Sequence, residues 1–207
     1  MKSDNLSEQD LLELLAHAIS DVGYWNWWTA ELPELVQVEF GRVQLYLPSE
    51  NQSAPHSMVA LQFRNPTSIS FLTRIQGEET HLWHEGLHEE KMDGPNITWD
   101  AFSFTHHEQM TAILDDAQVI TTIHGYSPKD AAFLNEKYKL VFWAGNFGLA
   151  VAAQDMKILT HVGEIALHRL PEMSKQWWGY LDEYWKRKDT NNPMPVDYTC
   201  EATIPSR

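Results

Sequence analysis

The sequence predicts an α+β domain: a mainly antiparallel sheet of about six to eight strands, amphipathic helices at the N-terminal and C-terminal ends, and two short internal helices. Three observations carry that expectation. Apolar residues recur at spacings of three and four near both ends of the chain. They alternate with polar residues through much of the middle. A chain of 207 residues, 43% apolar and 12% aromatic, is long enough to bury one real core and short for two. The expected organisation is therefore one domain over residues 1–207, ending in an extended tail over 189–207.

The first helix is announced by Leu6-Ser7-Glu8-Gln9-Asp10-Leu11. Ser7 can accept a bond from a free backbone N–H, and Asp10 can reach back to it from the third position. Leu11, Leu14, Leu15, Ala18, Ile19 and Val22 then form one apolar stripe that stops at Gly23. After the aromatic stretch 24–28 the period changes to two. Val36, Val38 and Phe40 face Val43, Leu45 and Leu47 across Gly41-Arg42, which predicts a β-hairpin, with a bulged single strand as the alternative. A polar loop covers 48–57. Val59, Leu61 and Phe63, then Ile69 and Phe71 beyond the Asn65-Pro66-Thr67 break, continue the alternation as an antiparallel meander.

In the second half, Thr105-His106-His107-Glu108 reads as a capping box that opens a short helix through Met110, Ile113, Leu114 and Ala117. A β-rich run follows at 119–123. Ser127-Pro128-Lys129-Asp130 opens the other short helix, with Pro at a position where its missing N–H costs nothing. Strands are expected at 138–143, 149–153 and 156–162, joined by turns at Gly145-Asn146 and Gln154-Asp155. The last helix starts at Ser174 and sets Trp177, Leu181, Tyr184, Trp185 and Lys188 on one face. Its Lys186-Arg187-Lys188 end complements the negative pole of the helix dipole, and Pro193 and Pro195 forbid continuation.

Charge narrows the functional classes. There are 15 basic against 29 acidic residues, a formal net charge of -14. Nucleic acid is excluded as a partner on that ground, because phosphate binding needs clustered Lys and Arg. No apolar run reaches the roughly 18 residues of a membrane span, and no signal-peptide pattern opens the chain. With the single Cys200, these features lead to the expectation of a soluble, cytoplasmic protein. The acid is unevenly placed: residues 1–103 carry a net -11, the remainder -3. Between Glu78 and Glu108 lie eight acids, one base and five of the ten histidines. Such a region attracts a basic partner or a divalent cation, and protonation of its histidines weakens that attraction.

That same region holds His84-Glu85-Gly86-Leu87-His88, a match to H-E-x-x-H. On a helix this spacing places both imidazoles on one side, fit for Zn²⁺, with Glu85 as general base for a metal-bound water. The segment resembles the zinc metallopeptidases of the zincin type. The resemblance implies His84 and His88 as zinc ligands, and Glu108, twenty residues after His88, stands where some of those enzymes place a third. On a strand, by contrast, the two histidines lie roughly 13 Å apart, too far for one ion. His81 with His88, and His106 with His107, are alternative components of a structural or opportunistic metal site. The plainest reading makes all of them surface and loop histidines.

No nucleophile elbow, P-loop or dinucleotide fingerprint is present. Two aromatic clusters stand out instead, around Trp25, Trp27 and Trp28 and around Trp177, Trp178 and Trp185. Neighbouring residues on a helix point about 100° apart, so Trp177 and Trp178 cannot share one buried stripe. Trp27, Trp28, Trp177 and Trp178 are accordingly the candidate binding residues, their surplus indole surface lining a pocket or an interface. The expected function is a non-catalytic binding protein for a basic protein partner or a small ligand. The alternative is a zinc-dependent hydrolase built on His84, Glu85 and His88.

Overall fold

The computed structural model describes residues 6–19, 24–29, 34–41, 43–47, 58–73, 114, 117–144 and 147–194, excepting the side chains of 24–29, 120, 142–144 and 147. These residues run through α1 (Glu8–Ile19), β1 (Tyr24–Thr29), β2 (Leu35–Gly41), β3 (Met58–Arg64), β4 (Ser68–Thr73) and β5 (Gln118–His124). Then follow α2 (Ala131–Leu134), β6 (Tyr138–Ala144), β7 (Phe147–Ala153), β8 (Asp155–Thr160), β9 (Gly163–Ile165), one 3₁₀ turn (Leu167–Arg169) and α3 (Leu170–Arg187). The fold class is α+β with antiparallel sheets, and nine strands are described where about six to eight are predicted.

The strands form two sheets, ordered β1-β2-β3-β8-β9 and β5-β4-β7-β6. Their relation is set by one shared ribbon. β3 pairs with β8 and β4 pairs with β7, all antiparallel, so the chain passes from the first sheet to the second along β3 and β4 and returns along β7 and β8. Residues 65–67 separate the paired Arg64 and Ser68, whereas only Ala153 and Gln154 separate Ala152 from Asp155. One strand therefore carries an extra residue, the definition of a bulge, and bulges bend and twist the ribbon that holds them. Asn65 supplies it, at φ 45° in the left-handed region that Asn tolerates better than most residues. Its N–H donates to the Glu34 carbonyl at 2.8 Å.

A second chain segment braces the bend. Gly125 and Tyr126, after β5, press against Thr67 and Ser68: the Ser68 hydroxyl donates to the Tyr126 carbonyl, and the Tyr126 hydroxyl lies 3.0 Å from the Thr67 hydroxyl. Glu136 accepts from Tyr126 and from Gln154, and the Lys139 ammonium donates to the Glu136 carbonyl at 2.8 Å. Burial pushes the Lys139 ammonium below its ordinary pKa and the Tyr126 phenol above its own.

The main core lies between the ribbon and the terminal helices. Leu12, Leu15 and Ile19 of α1, Leu170 and Met173 of α3, and Val38, Leu61, Phe63, Ile69, Phe71 and Val151 of both sheets belong to one cluster. A smaller cluster covers the other face of the second sheet, where Leu72, Ala150 and Val141 meet Phe133, Leu114 and Ala117. The opposite face of the first sheet carries a directed polar row. Arg64 donates to Gln62, Gln62 to Gln37 and Gln37 to Glu39, which satisfies two glutamines that are each 2% exposed.

Four expectations need correction. The hairpin across Gly41-Arg42 does not form, because β2 is already paired along both edges, with β1 and with β3. Val43, Leu45 and Leu47 are buried, as their alternation predicts, yet the Gln44 and Tyr46 N–H groups donate to the carbonyls of Ala18 and Met173. This segment is thus wedged beneath the terminal helices. Gln154-Asp155 is not a reversal, since β7 and β8 belong to different sheets. The same holds for the meander: β4 follows β3 in the chain but not in the sheet. The last helix starts four residues before Ser174, at Leu170, because Pro171 in its first turn is compatible with helix. Of the short helix expected after Thr105, only Leu114 and Ala117 fall within the described residues, and both are buried.

Candidate functional site

The terminal helices meet along one side and leave an open groove between them. It is about 510 Å³ in volume and is lined by Asp10, Glu13, Leu14, His17, Ala18, Gln44, Ser174 and Trp178. Each wall follows from local sequence. In α1 the spacing Asp10, Glu13, Leu14, His17 places these side chains on one flank, while Leu11, Leu12, Leu15 and Ile19 turn inward. The floor is contributed by Gln44, held where its own N–H meets the Ala18 carbonyl at 2.8 Å. In α3, Ser174 and Trp178 stand one turn apart on the opposite wall.

The adjacent tryptophans of α3 divide as their 100° separation requires. Trp177 is 2% exposed and stacks on Tyr180, with ring centroids 6.3 Å apart. Trp178 is 51% exposed on the rim of the groove. Seven residues on, Trp185 is 58% exposed, with the Lys188 ammonium 4.6 Å from its ring centroid. Trp178 and Trp185 therefore share one outward face.

Two carboxyl groups, Asp10 and Glu13, and the His17 imidazole line the groove. The Ser7 hydroxyl and Ser7 backbone N–H both donate to the Asp10 carboxylate, at 2.7 and 2.8 Å, and hold its pKa below the ordinary 3.8. Asp10 thus caps α1 and at the same time presents a charge that persists at every physiological pH. Glu13 adds a second carboxyl one turn further along. An indole on one wall and carboxyl groups on the other are chemically suited to contact with a cation, through the ring quadrupole and charge-assisted hydrogen bonds.

The structure brings Trp178 into this groove and places Trp177 in the packing beneath it. Trp27 and Trp28 lie in β1, in register with Val38 and Gln37, and their side chains are outside the described residues. His84, Glu85, His88 and Glu108, and with them the acidic, histidine-rich stretch 78–108, also lie outside the described residues. Among the described residues, no group of three His, Cys, Asp or Glu side chains is placed to hold a metal ion. Nor, among them, is any helix long and apolar enough to cross a membrane.

Sequence reasoning missed Asp10, Glu13, His17, Gln44 and Ser174 as lining residues, and it set Trp185 on the packed face. The repeat of seven between Trp178 and Trp185, and again between Asp10 and His17, is the signal that puts each pair on one flank. That these two flanks face each other depends on tertiary packing.

No family model matches this chain, and neither a curated protein nor a solved structure matches it.

Proposed function

We propose that the protein is a non-catalytic binding protein that takes a cationic group of its partner into the groove between α1 and α3. One observation carries this reading: a half-exposed indole, Trp178, stands on the rim of an open cavity whose other wall bears Asp10 and Glu13. Exposed Trp is costly to solubility and concentrates at binding hot spots, whereas the neighbouring Trp177 supplies the packing that the helix needs.

The test is calorimetric titration with an arginine-rich peptide, alongside free arginine and tetramethylammonium as small-ligand probes. Binding of the peptide alone identifies a protein partner; equal binding of the small cations identifies a small-molecule site. Trp178→Ala should weaken the productive probe by about 1–2 kcal/mol, or roughly 5- to 30-fold. Glu13→Gln should weaken it less, and added salt should weaken it further. Unchanged affinity in Trp178→Ala, or no binding by any probe, overturns the reading.

A further inference from the structure

We propose that the cationic partner of the groove is a second copy of this chain, its α3 packed antiparallel on the first about a two-fold axis near Leu181 and Asp182. This rests on the reading of the groove as a cation site and specifies its occupant. The first support is the spacing of the exposed indoles. Trp178 and Trp185 lie on one face, about 10.5 Å apart along the helix axis. A two-fold axis midway between them sets each Trp178 against Trp185 of the second copy, so the patch is self-complementary, as an isologous interface requires. Both rings are more than half exposed, at 51% and 58%, so their mutual burial removes a large apolar area from water.

The second support is the polarity of the stripe. Its N-terminal end borders Asp10 and Glu13, and its C-terminal end is Lys186-Arg187-Lys188. Antiparallel pairing juxtaposes these opposite charges twice. Lys186 and Arg187 are engaged within their own helix, with Asp182 and Glu183. The Lys188 ammonium instead rests on the Trp185 ring, the same ring that the axis delivers to Trp178. In such a pair Lys188 falls level with Lys175 of the other copy, one residue from Ser174 on the groove wall. Stepping 100° per residue from Trp178, Ser174 is rotated roughly 40° and Lys188 roughly 80° to the same side. An antiparallel two-fold keeps equal flanks together, so Lys188 approaches the groove and its carboxylates. Lys175, roughly 60° to the other side by the same step, stays on the far flank.

Light scattering and sedimentation of the full chain over a concentration series test this. The wild type should form a dimer. Trp185→Ala and Lys188→Glu, both at exposed positions, should each raise the dimer dissociation constant by about tenfold or more. Glu13→Lys alone should do the same, and Glu13→Lys combined with Lys188→Glu should restore the dimer. A monomer at every concentration overturns the inference, as does a dimer indifferent to these changes or a double variant no better than the singles. The two proposals fail separately. If Lys188→Glu still binds the arginine-rich peptide while the wild type is monomeric, the groove reading stands and the self-pairing falls. If the wild type dimerises and no variant at the groove matters, the self-pairing falls, and the peptide titration alone decides the groove reading.

Discussion

Gly125 sits at φ 74°, and a Cβ built on it falls 1.8 Å from the Thr67 carbonyl oxygen. Two penalties coincide there, the left-handed backbone and the collision with backbone that cannot give way. Gly125→Ala should cost at least about 2 kcal/mol in denaturant unfolding. Gly125→Asn should be no better, although Asn tolerates the dihedral, because it carries the same Cβ; a mild Asn variant refutes the collision as the cause. Glu8 makes a contact of a different kind. Its carboxylate accepts from the Tyr138 hydroxyl at 2.6 Å and pairs with Lys137 at 3.1 Å, tying the start of α1 to β6. Tyr138 first, then Lys137, holds its pKa below the ordinary 4.5. A lowered carboxyl pKa contributes stability that is present above 4.5 and lost as pH falls through the folded-state value. Because Glu8 is half exposed, the contribution is screened to about 0.2–1 kcal/mol. Glu8→Gln should therefore lower stability at neutral pH by that amount and converge with the wild type in acid. Parallel curves through the acid range refute it. Among single residues, the Ser7–Asp10 cap was readable because both partners are local, and it forms with Asp10 N–H donating to the Ser7 hydroxyl at 3.2 Å. The demand for glycine at 125 was not, because Thr67 imposes it from far away in the chain.

Within α3, two identical side chains in adjacent positions have opposite consequences. Trp177→Ala empties a site that is 2% exposed and should cost about 3–5 kcal/mol, the range for a buried large aromatic. Trp178→Ala removes a side chain that is 51% exposed and, at dilutions where the chain is monomeric, should change the unfolding free energy by no more than about 0.5 kcal/mol. Chemical denaturation of the two variants decides it; equal losses mean that Trp178 is structural and not reserved for a partner. The helical step of 100° made this division legible in the sequence, as periodicity made α1 and the strands legible. Pairing was less legible. Val43, Leu45 and Leu47 alternate like a strand and are buried like one, but burial pattern does not say what covers a segment. Here the cover is the pair of terminal helices, whose Ala18 and Met173 carbonyls take the N–H groups that a neighbouring strand would otherwise take. The groove escaped detection for the same reason: its walls were each readable, their meeting was not.

For the molecule as a whole, the extra residue at Asn65 decides which side chains reach the core. β3 and β8 hold one register and β4 and β7 another, and only an unequal number of residues across the bend reconciles them. Beyond the bend, Ile69 and Phe71 enter the cluster shared by both sheets and both terminal helices, while Leu72 joins the smaller cluster on the far face. The sequence marks this place only as a break at Asn65-Pro66-Thr67, since a bulge exists relative to a partner strand eighty-odd residues away. Deleting Asn65 while keeping Pro66 and Thr67 removes the offset. Either β4 then slips by one residue against β7, or β3 slips against β8, and a slip of one turns every side chain to the opposite face. In the first case Ser70 and Leu72 move into the places of Ile69 and Phe71, which turn to the opposite face. Ser70 in the place of Ile69 leaves one cavity and the displaced Leu72 leaves another in the smaller cluster; at about 2–5 kcal/mol each, the two together reach the whole stability of an ordinary domain. The deletion should thus abolish cooperative unfolding and leave the chain without native near-ultraviolet signal. Asn65→Gly, which keeps the residue and eases its φ of 45°, should remain within about 0.5 kcal/mol of the wild type. Asn65→Val, forcing a β-branched side chain into that region, should cost about 1–2 kcal/mol. The order of the three is what the bulge requires: if the deletion folds as well as the glycine variant, the two sheets are not coupled by a counted residue, and the bend arises elsewhere.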